Sequence, residues 1–231
     1  QVRPFSEKEK QNGAHCVISM DGSQTKILDP AFFDSENGAS SSEDRSMWER
    51  TFNFDHSFWS HSSGDGAGGT DFTRGGDCYS SQADVYRALG EFLVDNACQG
   101  FNCSLFAYGQ TGSGKTYTML GDSSDLTSAV GGGTAGLIPR MCVGLFQRFG
   151  LSDSGGDPGC SKNNGQASIQ VSFCEIYNEQ VRDLFYEGGG GQGLRVREHP
   201  TRGAFVEGLS ARRVASYQQV QGLLEDGMSS R

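Results

Sequence analysis

Between Ser81 and Cys98, apolar residues recur at Val85, Leu89, Phe92, Leu93 and Ala97. That spacing puts them on one face of a helix. Ser81-x-x-Asp84 offers a capping box at its start, and Gly100 a stop after its end. The run Cys103–Tyr108 is apolar without alternation, the pattern of a strand covered on both faces. Ile169, Val171 and Phe173 alternate with polar neighbours, which predicts a strand over 169–177 and then a short helical turn over Asn178–Leu184. Residues 194–198 and 204–209 read as two short strands joined at Thr201-Arg202-Gly203. A last helix is expected near Ser216, with Gln219 as its capping partner and Val220, Leu223 and Leu224 inward. Strands mixed with helices predict an α/β fold, and no internal repeat is found.

Between these segments the pattern disappears. Residues 35–47, 60–77, 121–136, 152–168 and 187–193 are polar and rich in Gly and Ser, and read as surface loops. They explain why only 35% of the 231 residues are hydrophobic while 34 are Gly. Acidic residues outnumber basic ones 28 to 19, for a net charge of −9, which argues against a broad nucleic-acid-binding face. No apolar run approaches the roughly 20 residues that cross a bilayer. The seven cysteines (Cys16, Cys78, Cys98, Cys103, Cys142, Cys160 and Cys174) form no CxxC pair and suit free thiols in a reducing, cytoplasmic setting. The chain opens on Gln1-Val2-Arg3-Pro4, without an initiating Met or a signal-peptide pattern, which suggests an edited or partial chain.

The chemistry concentrates at Gly109-Gln110-Thr111-Gly112-Ser113-Gly114-Lys115-Thr116, a full match to G-x-x-x-x-G-K-[ST]. Glycines let such a loop curl so that successive N–H groups surround a phosphate. Lys115 would reach the terminal phosphates, and the Thr116 hydroxyl would take one position on Mg²⁺. The expected setting is strand, loop, helix, with the strand at 103–108 and the helix at Lys115–Leu120. ATP with Mg²⁺ is the expected ligand.

The stretch Phe106–Met119 resembles the signature of kinesin motor domains. Other segments agree in order: Val2-Arg3-Pro4-Phe5, Phe54-Asp55-x-x-Phe58, Gln82-x-x-Val85-Tyr86, Gly136-Leu137-Ile138-Pro139-Arg140, and Ser172-Phe173-x-Glu175-Ile176-Tyr177-Asn178-Glu179. Phe58-Trp59-Ser60 and Leu194–Gly208 look closest to the kinesin-three vesicle-transport branch. The resemblance covers essentially residues 1–231 and implies a P-loop NTPase fold, a central β-sheet flanked by helices, of which this chain is the N-terminal portion. It also implies that Val2–Phe5 is the first strand and that Arg3, Pro4 and Tyr117 form an adenine pocket beside Gly109–Thr116. Where the family often carries a first Arg, this chain has Gln1, so one contact to the nucleotide is in question.

The resemblance further implies a microtubule partner, met through a local basic segment at Arg197, His199 and Arg202; these residues read equally well as ordinary exposed charges. Cargo or adaptors would bind outside this chain, at the cytoplasmic microtubule cytoskeleton. No catalytic residue is identified, because the family's switch patterns, N-x-x-S-S-R-S-H and D-x-x-G-x-E, do not occur in the 231 residues. Met228–Arg231 matches a G-x-x-x-R linker better than the first switch. Asp95 reads as a solvated acid at a helix end, while Glu179 and Asp183, four apart on the expected helical turn, would repel mildly. Two functions stay open: the ATP-binding part of a microtubule-stimulated ATPase motor, inactive as this portion alone, or a truncated module that binds nucleotide without hydrolysis.

Overall fold

The computed structural model describes residues 1–34, 47–60, 79–122, 133–150, 168–186, 193–201 and 203–229. Most of the expected Gly/Ser-rich loops, and Arg202, Ser230 and Arg231, lie outside them. The architecture is the expected mixture of helices and strands.

The N-terminal arm is not a full strand. Only Val2 pairs, through a parallel bridge to Trp59, and Trp59 in turn bridges Tyr79. Pro4 has no N–H to continue a ladder. The chain turns instead into helix α1 (Glu7–Gln11), whose N-cap Ser6 and third residue Glu9 form a capping box. Next comes an antiparallel sheet of β1 (Ile18–Asp21), β2 (Gln24–Leu28) and β3 (Glu49–Asn53), in the order β1-β2-β3. The β1–β2 turn is the pair Gly22-Ser23, with Gly22 at φ 57° in the first central position. A short helix, α2 (Ala31–Asp34), follows β2.

Helix α3 runs through Gln82–Val85, a π-helical turn at Tyr86–Gly90, and Glu91–Cys98. Its capping box forms as expected: the Ser81 hydroxyl accepts from Asp84 N–H, and the Asp84 carboxylate accepts from Ser81 N–H. The inward face differs from the one read off the spacing. Val85 and Val94 are buried, whereas Phe92 keeps 66% of its surface exposed. A π turn inserts backbone between the two α segments and rotates the second about the axis, so residues after Gly90 no longer continue the phase of Val85 and Leu89.

Residues 103–108 do not form the expected buried strand. Among the described residues no strand lies beside them, and Phe106 is 88% exposed. An apolar run becomes a covered strand only where neighbours supply hydrogen bonds and packing on both sides. Helices α4 (Lys115–Leu120) and α5 (Leu137–Arg148) come next.

The strand expected over 169–177 divides at Ser172-Phe173 into β4 (Ile169–Val171) and β5 (Cys174–Tyr177). The helical turn expected over Asn178–Leu184 is instead β6 (Gln180–Asp183), antiparallel to β5. Asn178 and Glu179, at φ 49° and 62°, make the two-residue turn with both residues left-handed that a tight hairpin needs. Glu179 and Asp183 therefore do not share a helix. The remaining hairpin, β7 (Val196–His199) with β8 (Gly203–Val206), stands close to its expected place. Strand β9 (Arg212–Val214) pairs with β4, and α6 (Tyr217–Ser229) closes the chain. Gln219 N–H donates to the Ser216 hydroxyl, and the Gln219 side chain accepts from Ala215 N–H, as foreseen.

The main apolar cluster joins Phe146 of α5, Val214 of β9, and Tyr217, Val220 and Leu224 of α6. Each such side chain contributes roughly 1.5–3 kcal/mol on burial. Leu120, the last residue of α4, packs against this cluster. Gly136 N–H also donates to the Leu120 carbonyl at 3.1 Å. The loop ahead of α4 is thus anchored to the core at the far end of its helix.

Candidate phosphate-binding site

Residues 109–116 curl as the glycine pattern demands. Gly109, Gly112 and Gly114 all have positive φ, at 154°, 80° and 93°. At Gly109 the conformation disfavours a side chain, and an added Cβ would lie 2.6 Å from Ser113 Oγ, so that hydroxyl would have to turn away. Ser113 N–H closes the turn onto the Gln110 carbonyl at 3.2 Å. Lys115 Nζ donates to the carbonyls of Gly109 and Gln110, both at 2.7 Å. An ammonium carries three donors, so one is left for a further acceptor. Gly114 is the N-cap of α4 and supplies no side-chain hydrogen bond, which leaves the first N–H groups of the helix for an outside acceptor. Thr116 is exposed in that first turn.

The N-terminal arm lies against this loop. Arg3 Nε–H donates to the Gly112 carbonyl at 2.7 Å, and the same guanidinium donates to the Pro4 carbonyl at 2.8 Å. Its two terminal nitrogens grip Glu9 as a fork, each bond 2.7 Å long. Arg3, foremost, with Ser6 holds the Glu9 carboxyl down to about 2, so it is ionised at neutral pH. Gln1, at the position where the family often has Arg, bridges instead: it donates to Ser60 Oγ at 2.6 Å and accepts from Thr118 Oγ1 at 2.7 Å.

Two clefts flank the loop. One, of about 880 Å³, runs between Asp55, Val85, Leu89 and Tyr108 and reaches Gly109 and Lys115. The other, of about 250 Å³, lies between Arg3, Glu9, His15, Gln110 and Ser113. Neither Pro4 nor Tyr117 lines these clefts. The Tyr117 carbonyl accepts from Gln82 Nε2 at 2.6 Å, which ties α4 to the start of α3.

The whole chain, residues 1–231, matches the family model of the kinesin motor domain. The chain belongs to the kinesin motor-domain family. It is 37% identical to the rat kinesin-like protein KIF1A and 37% identical to unc-104 of Caenorhabditis elegans, over 231 residues in each case. These relatives place it beside the kinesin-3 branch, as the resemblance implied. It covers 11% of the first and 12% of the second. Among solved structures it is similar to a KIF14 motor with ADP in complex with a microtubule, at a TM-score of 0.70 and 34% identity. A fast kinesin gives 0.71 at 26% identity. The chain spans 54% and 51% of those two chains, about half of each.

Of the residues expected around a nucleotide, the fold sets Arg3 against the loop at Gly112, with Pro4 next to it in the chain, while Tyr117 follows the loop on α4. Glu9 was not expected beside the loop, although the Ser6-x-x-Glu9 capping box was its sequence signal. Far along the chain, Arg197 and His199 stand on β7, away from the loop in sequence and sheet. Arg197 pairs with Glu207 at 3.0 Å, and His199 Nδ1 accepts from Thr201 N–H at 3.2 Å. Among the described residues no group of three His, Cys, Asp or Glu could hold a metal ion. Cys142, the thiol packed beside the main cluster, is pushed up to about 11 by burial and stays neutral.

Proposed function

We propose that this chain is the ATP-binding part of a microtubule motor that hydrolyses ATP to move along the filament. The observation that carries the reading is the curled loop Gly109–Thr116, with the Lys115 ammonium folded across it and family membership over the full length. Gly109–Gly114 would enclose the phosphates, Lys115 would meet their terminal oxygens, and Thr116 Oγ1 would supply one ligand to Mg²⁺. That ion, when bound, neutralises phosphate charge. Arg3 and Pro4 mark the side of the loop assigned to adenine, with Tyr117 its third expected contact. Arg197, His199 and Arg202 are assigned to the acidic surface of tubulin. The KIF14 relatives, described with ADP or AMP-PNP in complex with a microtubule, support both the ligand and the partner.

The test is ATP turnover by the full-length protein with and without microtubules. Stimulation by microtubules is the expected result. Tight Mg-ATP binding without turnover under either condition would replace the motor with a nucleotide-binding module. Lys115→Ala should weaken Mg-ATP binding at least tenfold, since it removes a charge-assisted contact of about 1.5–3 kcal/mol. Unchanged affinity in that variant, by equilibrium titration, would overturn the phosphate-loop assignment itself.

A further inference from the structure

We infer that Glu9 is a positioning residue for the phosphate loop, acting through Arg3 on the Gly112–Ser113 peptide; this rests on the nucleotide-binding reading above. The Gly112–Ser113 peptide is held at both ends. Its N–H donates to Gln110 within the loop, and its carbonyl accepts from Arg3 Nε, over a hundred residues away in sequence. The lysine contacts come from the residue that closes the loop and travel with it, whereas Arg3 ties it to a separate part of the chain.

Arg3 delivers that contact only while its side chain stays extended toward Gly112. A guanidinium has five N–H donors in a rigid plane, and four are engaged: one to Gly112, one to Pro4 and two to the Glu9 carboxylate. The two-pronged grip of Glu9 sets the plane and thereby aims Nε. Little donor capacity is left for reading a ligand's edge, which makes Arg3 a support of the loop first. Glu9 is itself located by the capping box of α1, since the Ser6 N–H and hydroxyl both donate to Glu9 Oε2. The start of α1 therefore sets where the apex of the loop stands.

The two jobs of Glu9 separate by substitution. Glu9→Gln keeps an acceptor for the helix cap, because Gln serves at that position of a capping box. It loses the charge and the symmetric fork that orient Arg3. In the full-length protein, Glu9→Gln is expected to raise the Kd for Mg-ADP about tenfold, the size of one lost charge-assisted support. Its melting temperature without nucleotide should stay close to that of the parent. Arg3→Ala should weaken binding similarly, and adding Glu9→Gln to Arg3→Ala should cost nothing more, because the carboxylate acts through the guanidinium.

A Glu9→Gln Kd within about twofold of the parent value overturns the positioning role. So does an equal loss in the Arg3→Ala background, which would mean that Glu9 acts through the helix alone. If the parent protein binds no Mg-ADP, the nucleotide-binding reading itself falls, an outcome distinct from both.

Discussion

At the residue scale, the site depends on a few polar atoms with more than one task. Lys115 crosses its own loop and still has a donor for a phosphate, whereas Arg3 is almost fully engaged by protein groups. The Ser81–Asp84 cap behaves similarly at the head of α3. The Ser81 side chain, its N–H and Arg87 hold the Asp84 carboxyl down to about 2. A depressed carboxylate stabilises the fold above its unfolded value, about 4, and that contribution is lost as pH falls from there through about 2. Ser81→Ala should therefore return Asp84 toward the ordinary carboxylate value, and the acid unfolding of α3 should begin at higher pH. An NMR titration of the Asp84 carboxyl checks this, and an unmoved titration would contradict the cap's role. Residue types and spacing made this cap, the phosphate loop and the Ser216–Gln219 cap legible in the sequence. Each depends on contacts between residues no more than six positions apart, so local order is enough. The Arg3–Gly112 contact spans a far longer stretch and leaves no local pattern.

Elements were legible where one periodicity ran from cap to stop. Helix α6 follows that rule: of its expected inward residues, Val220 and Leu224 are buried and Leu223 is half-buried against the main cluster. Helix α3 breaks it inside, at Tyr86–Gly90. There the Tyr86 ring lies so close over Gly90 that any Cβ would collide with it, and Tyr86 Oη is 2.8 Å from where a Cβ on Gly144 of α5 would stand. The π turn thus seats a tyrosine between two helices at the expense of the helical phase. Val94→Ala should cost about 1–3 kcal/mol of stability, as for a fully buried aliphatic, while Phe92→Ala should stay within roughly 0.5 kcal/mol. Denaturant melts of both variants measure the difference, and the reverse order would restore the phase first read from the spacing. The β5–β6 hairpin was misread for a different reason. Asn178-Glu179 carries no Gly, the usual signal of a turn with two left-handed residues, and the turn forms because the flanking strands pair in register.

Across the whole molecule, charge and sheet pairing set the behaviour. With a net charge of −9, any approach to an acidic filament must go through local cations such as Arg197 on β7. Replacing Arg197, His199 and Arg202 with Ala should weaken microtubule binding several-fold at low salt, and much less near 0.15 M, where charges beyond roughly 8 Å are screened. Co-sedimentation over a salt series tests this, and a loss independent of salt would argue against an electrostatic contact. The described strands form one three-stranded and three two-stranded sheets, all antiparallel. Residues 103–108 lie outside all of them, with Phe106 and Tyr108 exposed beside the larger cleft. From its order of residues alone, the chain is legible as a curled glycine-rich loop of the phosphate-binding pattern, a capped helix on its N-terminal side and a capped helix at the C-terminal end, because these rest on neighbours within a turn or two. Whether an apolar run is covered, which face of α3 turns inward, and which distant arginine supports Gly112 were decided by the assembled fold. Burial and long-range hydrogen bonds require partners that approach only when the chain has folded.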